Sequence, residues 1–476
     1  MSLEFKVSEL AREFGVHRNT IRNWINSGRL RARPAPGRRY LVDPRDYEQL
    51  CHRYGRTPPP ASEPAVQPVA EAPRSSLPPL LLGEQTTTLH DDPAWAERCL
   101  TCGSCSAACP LAGVDGLDPR RIVRMALLGL EEELLASDWP WKCTLCGRCE
   151  EACPMDMEIM RLMHSIRGHR ERHQVPGPLH RGVTTCLSRG NNMGIPGEDF
   201  VALLQQLGEE LAREGCRGFV TPIDRHGARL LITVNSKEVF SEPDNLKYWW
   251  RILHAAGESW TISSTCWEGV NWGLFTGDQE AMRTLVGRLV DTMQGLNCQA
   301  LLLPECGHAY FATRYGLERW YPEVQAEYRL YSVFDLLLEY LHQGRLRLDP
   351  ERHTRLATCH DPCHYGRISA KYFGRAYFAE AREIIASCCP RFVDLVPGGL
   401  DSYCCGAGGT SWTTPFAAER VYAGRLKARQ IRESGAGLVV TACHNCRDQI
   451  MKSLAREFDL DIRVKYLWQL VAEALV

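Results

Sequence analysis

Net charge is what this sequence has least of: 56 Lys and Arg residues stand against 57 Asp and Glu, leaving −1 at pH 7 with His neutral. No global field therefore points to nucleic acid or to an anionic membrane. Long apolar runs are also missing. None approaches 18 residues, so no transmembrane helix is expected. No secretory leader is expected, and at 476 residues the chain is too large for a small disulfide-stapled secreted scaffold. The expectation is a cytoplasmic chain of two to four domains.

Cysteine is what the chain has in excess, with 22 residues. Cysteines at close x2 spacings in a cytosolic-looking protein read as metal ligands or redox centres. Two runs carry that spacing: Cys99-x2-Cys102-x2-Cys105-x3-Cys109-Pro110 and Cys143-x2-Cys146-x2-Cys149-x3-Cys153-Pro154. Both match the bacterial two-cluster ferredoxin pattern, including the proline after the fourth cysteine. An x2-x2 loop wraps three thiolates around a cubane, and the fourth projects to the other cluster. Cys99, Cys102, Cys105 and Cys153 are thus expected to hold one 4Fe-4S cluster, and Cys143, Cys146, Cys149 and Cys109 the other. A pair of structural zinc sites is the competing reading, and two identical runs speak against it. Asp118-Pro119 is expected to start a helix that runs to about Leu135.

Three further segments converge: His360-Asp361-Pro362-Cys363-His364, then Cys404-Cys405-Gly406-Ala407-Gly408-Gly409, then Cys443-His444-Asn445-Cys446. Neighbouring cysteines can reach two irons of one cluster, and glycine lets backbone approach it without a Cβ clash. Cys404 and Cys405 are therefore the candidate catalytic pair, with Cys363, Cys443 and Cys446 as companion ligands.

Residues 229–350 and 351–476 read as two lobes of one α/β plan. Ala300–Ala309 lies over Gly437–Cys446, each a buried strand running into a cysteine-bearing loop. Leu230–Val234 lies over the strand leading to Cys363, and Cys266-Trp267-Glu268-Gly269 over the Cys404 loop. Ligands at strand ends are where open α/β sheets place their sites. The first lobe keeps only Cys266 and Cys306. Ser236 or a neighbour, and Ala309, stand where other cysteines would be, so a five-thiolate cluster is not expected there. Helices are expected over Glu198–Glu214, Gln279–Met293, Tyr331–His342, Arg375–Ser387 and Ala417–Ser434.

Residues 1–56 carry twelve Lys and Arg against six Asp and Glu, a basic segment in a neutral chain. Helical spacing over Val7–Phe14 with Ser8 as N-cap, a turn at Gly15-Val16, a second helix over His17–Asn26, a wing turn at Pro34/Pro36/Gly37 and a helix from Asp43-Pro44 resemble the winged helix-turn-helix of MerR-type regulators and excisionases. That resemblance implies DNA contacts from Arg18, Asn19, Thr20, Arg22 and Arg38; a docking module is the alternative. A Pro-rich linker over 57–97 separates this domain from the ferredoxin-like domain at 98–173, and 174–228 connects onward.

The second lobe resembles the CCG domain of heterodisulfide reductase catalytic subunits and their relatives. These include the iron–sulfur subunits of glycolate, lactate and glycerol-3-phosphate oxidising complexes, and the DsrK subunit of the membrane complex tied to sulfite reduction. With the ferredoxin runs, the resemblance covers about residues 98–476. It implies a noncubane 4Fe-4S cluster on Cys363, Cys404, Cys405, Cys443 and Cys446, where disulfide cleavage occurs. One complete motif beside a degenerate lobe looks more like the DsrK or membrane-type heterodisulfide reductase branch. The spacers run slightly longer than the family pattern, and the helix-turn-helix fusion departs from it. The expected fold is multidomain α/β: winged helix-turn-helix, helical two-cluster ferredoxin-like domain, two-lobed CCG domain.

Three functions follow as expectations. The first is an oxidoreductase subunit exchanging electrons between a thiol/disulfide (or trisulfide/persulfide) couple, or a small sulfur-carrier protein, and a quinone- or flavin-linked partner. That partner would be a b-type membrane cytochrome, placing the chain at the inner membrane face, or a flavoprotein. The second is an electron relay for an organic-acid or glycerol-3-phosphate dehydrogenase, and the third a redox-responsive DNA-binding regulator. Cys306 and His308 are expected to face the site and orient substrate or supply a proton, with a loop hydrogen bond the plainer reading of His308. His360, His364 and His444 read equally as hydrogen-bond partners of ligand sulfur. Cys51, Cys186, Cys216, Cys298 and the Cys388-Cys389 pair read as packing residues, and Cys359 as a buried strand end, with a spare ligand the alternative. Tyr248-Trp249-Trp250, Trp260 and Trp267 read as core.

Overall fold

The computed structural model describes residues 3–14, 16, 20–21, 24–25, 30–35, 39–53, 89, 95–304, 306–409 and 411–476. They fall into two compact units, one formed by Met1–Glu84 with residues 154–156, the other by Gln85–Cys153 and Met157–Val476.

In the first unit, β1 (Leu3–Lys6), β2 (Ala32–Ala35) and β3 (Arg39–Val42) make an antiparallel sheet in the order β1-β3-β2. β1 runs straight into the helix Val7–Glu13, so the cap position falls at Lys6 rather than Ser8, which sits inside the helix. The Glu9 carboxylate takes the cap amide, accepting from Lys6 N at 2.8 Å. Leu10, Phe14, Ile21, Trp24 and Leu30 close on Val42, Tyr47 and Leu50 as a small core. Asp46 accepts from the Arg31 amide (2.8 Å) and guanidinium (2.9 Å), and that pairing holds its carboxyl below the usual range. Thr20 is helical and half-buried. Arg18, Asn19, Arg22, Arg38, the wing residues 36–37 and the linker from 54 to 88 lie outside the described residues.

In the second unit the two ferredoxin-type runs share one backbone course. Thr101 (φ 54) and Leu145 (φ 51) sit before the second cysteine of each run, Gly103 (φ 82) and Gly147 (φ 70) after it, all in the left-handed region. Short helices, Ser104–Ala108 and Arg148–Glu151, then carry the third cysteine. Asp118 caps the next helix through Arg120 N at 2.8 Å, as the Asp-Pro pair requires. That helix ends at Leu127, not Leu135. Gly129 (φ 70) breaks it, and a separate helix covers Glu131–Ala136.

Two parallel sheets follow. β4 (Leu230–Ile232), β5 (Trp260–Thr261), β6 (Ala300–Leu302) and β7 (Arg329–Tyr331) pair in the order β5-β4-β6-β7. β8 (Ala357–Cys359), β9 (Leu438–Thr441) and β10 (Arg463–Tyr466) pair in the order β10-β9-β8, and Phe392 bridges Ala357 in parallel. Both sheets thus run second–first–third–fourth. Strand pairing sets Ala300 level with Leu438 rather than Gly437. One extra residue in the loop after β6 restores the match at the next helix, where Cys306 and Cys443 both occupy the extended cap position.

Other boundaries shift for local reasons. Tyr331 belongs to β7, so the helix after it starts at Val333 with Ser332 as cap. The Ala417–Ser434 segment is two helices meeting at Gly424, where a Cβ would lie 2.5 Å from the Cys405 carbonyl. The segment expected as Arg375–Ser387 is helical over Ala379–Ala386. Residues 174–228 are largely two helices, Gly177–Arg189 and Gly197–Arg213. Trp249, Trp250, Trp260 and Trp267 are core, with Trp267 stacked on Phe200 at 4.2 Å. Among the described residues, no helix is long and apolar enough to cross a membrane.

Candidate iron–sulfur site

The two cysteine runs are interleaved. Cys109, Cys143, Cys146 and Cys149 line one cavity of about 30 Å³ with Leu111, Leu117 and Met163, and Cys109 feels the charges of Cys143 and Cys146. Cys105 in turn feels Cys153. Cys109 therefore lies with the first three cysteines of the second run, and Cys153 lies near Cys105 of the first. Cys99 is half-buried and Cys102 exposed, and a hydrogen bond with Ser104 lowers the Cys102 thiol. Burial pushes Cys143 up to about 11, so metal loading there must displace protons. Four soft thiol donors from two loops around an apolar cavity fit a 4Fe-4S cubane.

The other five cysteines meet beside that cavity. β8 delivers Cys363, β9 delivers Cys443, and Cys446 follows within the helix His444–Asp448. Cys405 Sγ lies 3.3 Å from Cys446 Sγ. Cys363 feels the charges of Cys404, Cys146 and Cys405. Hydrogen bonds from Cys404 and Cys446 hold Cys405 well below the ordinary thiol value, and bonds from Cys306 and Cys446 do the same for Cys443. Backbone amides also point at sulfur: Gly406 N at 3.2 Å from Cys404 Sγ, Ala407 N at 3.5 Å from Cys405 Sγ. A buried set of soft donors with amides aimed at them fits an iron–sulfur cluster.

The glycines of the Cys404 loop do a different job from the one their position suggests. A Cβ on Gly408 would lie 2.1 Å from the Thr144 carbonyl, and one on Gly409 2.7 Å from that of Cys143. They let this loop lie directly on the second ferredoxin run. Cys404 consequently hydrogen-bonds Cys146 and lies 3.6 Å from Thr144 Oγ1.

Cys306 and His308 of the first sheet reach the site. Cys306 bonds Cys443, and the His308 ring lies 3.6 Å from that of His364. His308 Nε2 has no hydrogen-bond partner among the described residues, and burial lowers this group to about 4, so the expected titration near neutrality does not hold. Cys266 instead faces Thr292 and Arg288. His364 Nδ1 lies 3.4 Å from Cys363 Sγ, whereas His444 Nδ1 is bound by Tyr466 Oη at 2.6 Å. Asp361 shapes its loop, accepting from Arg382 (3.0 Å) and Gly399 N (3.3 Å). Cys359 is buried at the end of β8.

His360, read from the sequence as a neighbour of ligand sulfur, offers a nitrogen within 4.8 Å of Cys405 and Cys446 sulfur. Sequence reasoning missed two cations. Arg367 and Lys427 are buried cations whose charges reach Cys363 and Cys405 respectively. Arg367 donates to the Leu400 and Ser402 carbonyls (both 3.0 Å), fastening the loop ahead of Cys404.

Three family models match: a helix-turn-helix domain over residues 4–47, a 4Fe-4S dicluster domain over 95–157 and a cysteine-rich domain of the CCG type over 357–451. The chain is 28% identical over 198 residues to one of the subunits of the fumarate reductase (CoM/CoB) of Methanothermobacter marburgensis, covering 41% of this chain and 36% of that one. It therefore spans about a third of the length of that curated relative. The dicluster and CCG matches fall on the interleaved runs and on the segments that converge beside them, and the chain carries a helix-turn-helix domain, a 4Fe-4S dicluster domain and a cysteine-rich domain of the CCG type.

Proposed function

We propose that the chain is an oxidoreductase subunit that moves electrons between a thiol/disulfide couple and a quinone- or flavin-linked partner. In this reading two 4Fe-4S cubanes take the crosswise cysteine sets, and a single noncubane cluster takes Cys363, Cys404, Cys405, Cys443 and Cys446. The two parallel sheets are the lobes of one repeat, of which only the second keeps all five cysteines. The contact between Cys146 and Cys404 carries the proposal, because it sets the electron path directly against the adjacent pair. The relative's name, a reductase subunit, supports an assembly of several chains.

The reaction balances as RSSR′ + 2 e⁻ + 2 H⁺ → RSH + R′SH, or its reverse. The S–S bond breaks, the partner supplies the two electrons, and each sulfur takes up one proton. When bound, a cluster on the five cysteines supplies those electrons stepwise to sulfur. The protein's own part is to exclude water and hold charge. Cys404, Cys405, Cys443 and Cys446 are all buried, and Arg367 and Lys427 lie close enough to offset the negative charge of reduced sulfur. Cys306 and His308 face the same volume and position the substrate sulfur.

Anaerobic oxidation of a reduced one-electron dye by the cluster-loaded chain tests this. It should proceed with a disulfide as acceptor and consume two dye equivalents per disulfide. Fully loaded protein that oxidises the dye with no disulfide tried, yet passes electrons from glycolate or lactate through a flavoprotein, would refute it in favour of the relay.

A further inference from the structure

His360 is a buried imidazole, and neither of its ring nitrogens has a hydrogen-bond partner among the described residues. We propose that one of those nitrogens is a further protein ligand to iron, beside Cys405 and Cys446. This rests on the reading above, in which a cluster sits on the five cysteines, and adds to it a donor of a different chemical kind.

The missing partners make the first argument. Burying an imidazole with both nitrogens unsatisfied is costly, and each such group calls for an explanation. His364 and His444 also flank ligand cysteines, but each is engaged at Nδ1. His364 Nδ1 lies 3.4 Å from Cys363 Sγ, and His444 Nδ1 meets the Tyr466 hydroxyl at 2.6 Å. His360 makes no such bond to sulfur. Yet one of its nitrogens, Cys405 Sγ and Cys446 Sγ all lie within 4.8 Å of one another. Imidazole and thiolate are both donors that iron accepts. Three of them converging with no hydrogen bond from the imidazole suit a shared metal centre.

Placement makes the second argument. β8 ends at Cys359, and His360 N donates to the Val440 carbonyl of β9 at 2.9 Å, so the pairing of the two strands runs on through His360. The next residue, Asp361, is tied by Arg382 (3.0 Å) and by Gly399 N (3.3 Å). The imidazole thus leaves the same sheet end that delivers Cys443 and Cys446, and its backbone is fixed on both sides. A ligand set on a rigid strand end is held in place before any metal arrives. The donor type also has a consequence. Imidazole brings no negative charge, and histidine in place of cysteine raises the reduction potential of an iron–sulfur centre. His360 therefore makes the centre easier to reduce than a further thiolate would, which helps it hold electrons arriving from the cubanes.

The test is pulsed electron paramagnetic resonance of the anaerobic, cluster-loaded full chain, prepared with ordinary histidine and with histidine carrying the heavy nitrogen isotope. The species formed on adding mercaptoethanol should show a strong nitrogen coupling that changes with the label. That coupling should be lost in His360→Gln and kept in His364→Gln, with iron content showing that each variant still holds its clusters. His360→Cys, which keeps a donor but adds negative charge, should move the midpoint of the centre to a more negative potential. A thiol-induced species with no label-sensitive coupling in the unsubstituted chain would overturn the ligand and leave the reaction standing; this arm needs no variant to fold. A coupling that survives His360→Gln, or an unmoved midpoint in fully loaded His360→Cys, would overturn it too. So would a weak coupling accompanied by an exchangeable proton, which would make His360 a hydrogen-bond donor to sulfur. A His360-dependent coupling seen only after dye reduction, with no thiol-induced species, would keep the ligand and refute the thiol/disulfide reaction.

Discussion

Cys405→Ser should abolish disulfide turnover, lowering it by about three orders of magnitude or more, while both ferredoxin-type clusters stay in place. The size follows from what Cys405 does. Its sulfur is 3.3 Å from Cys446 Sγ, it takes an amide from Ala407, and with Cys443 it is one of the two thiols held well below the ordinary value. Groups that act as a unit fail together when one is removed. The serine oxygen is a poor donor for iron beside four thiolates. The cysteines that act on Cys405 are Cys404, Cys446 and Cys443, so visible absorbance from the cubanes should survive its replacement and show that the variant has folded. Retained turnover at a tenth of wild type or more would remove Cys405 from the reacting site.

The second large effect concerns how the ferredoxin runs are wired. Two pairs of double variants separate crosswise from run-by-run ligation. If the fourth cysteines exchange, Cys99→Ser with Cys153→Ser should lose one cluster, about four irons per chain, because both changes strike the same one. Cys99→Ser with Cys109→Ser should lose both, about eight irons. Run-by-run ligation gives the reverse. The structure favours exchange because Cys109 shares a cavity with Cys143, Cys146 and Cys149, and Cys105 feels Cys153. A second consequence follows from Cys146 touching Cys404. Cys109→Ser alone should stop dye electrons from reaching the Cys404–Cys405 pair, whereas Cys153→Ser should leave the cluster next to that pair intact. Anaerobic iron determination and dye-driven turnover of these variants check both points.

What could be read from residue order is what local chemistry dictates. Cluster-type spacing is local, so all thirteen proposed ligand cysteines stood out, and the crosswise pairing came with the x3-Cys-Pro ending. The Asp118-Pro119 cap and the burial of Trp249, Trp250 and Trp260 were legible for the same reason. Contacts made across hundreds of residues were not. Gly408 reads as making room for a cluster, but the atom that requires glycine is the carbonyl of Thr144, far back in the chain. Arg167 and Arg367 work by donating to main-chain carbonyls, and a carbonyl has no side-chain signature. The histidine layer of His164, His308 and His364 comes from three separate segments. Glycines inside helical patterns misled in another way. Gly129 and Gly424 could have been tolerated; Gly129 instead turns left-handed and ends its helix, and at Gly424 the Cys405 carbonyl comes close enough to require glycine.

The central claim is that the Cys404–Cys405 site handles sulfur substrate, and anaerobic electron paramagnetic resonance of the oxidised, cluster-loaded chain addresses it most directly. Adding a thiol should produce a paramagnetic species absent without it, distinct from both cubane signals and lost in Cys405→Ser. A spectrum holding only the two cubane signals, unchanged by thiol, would contradict the account.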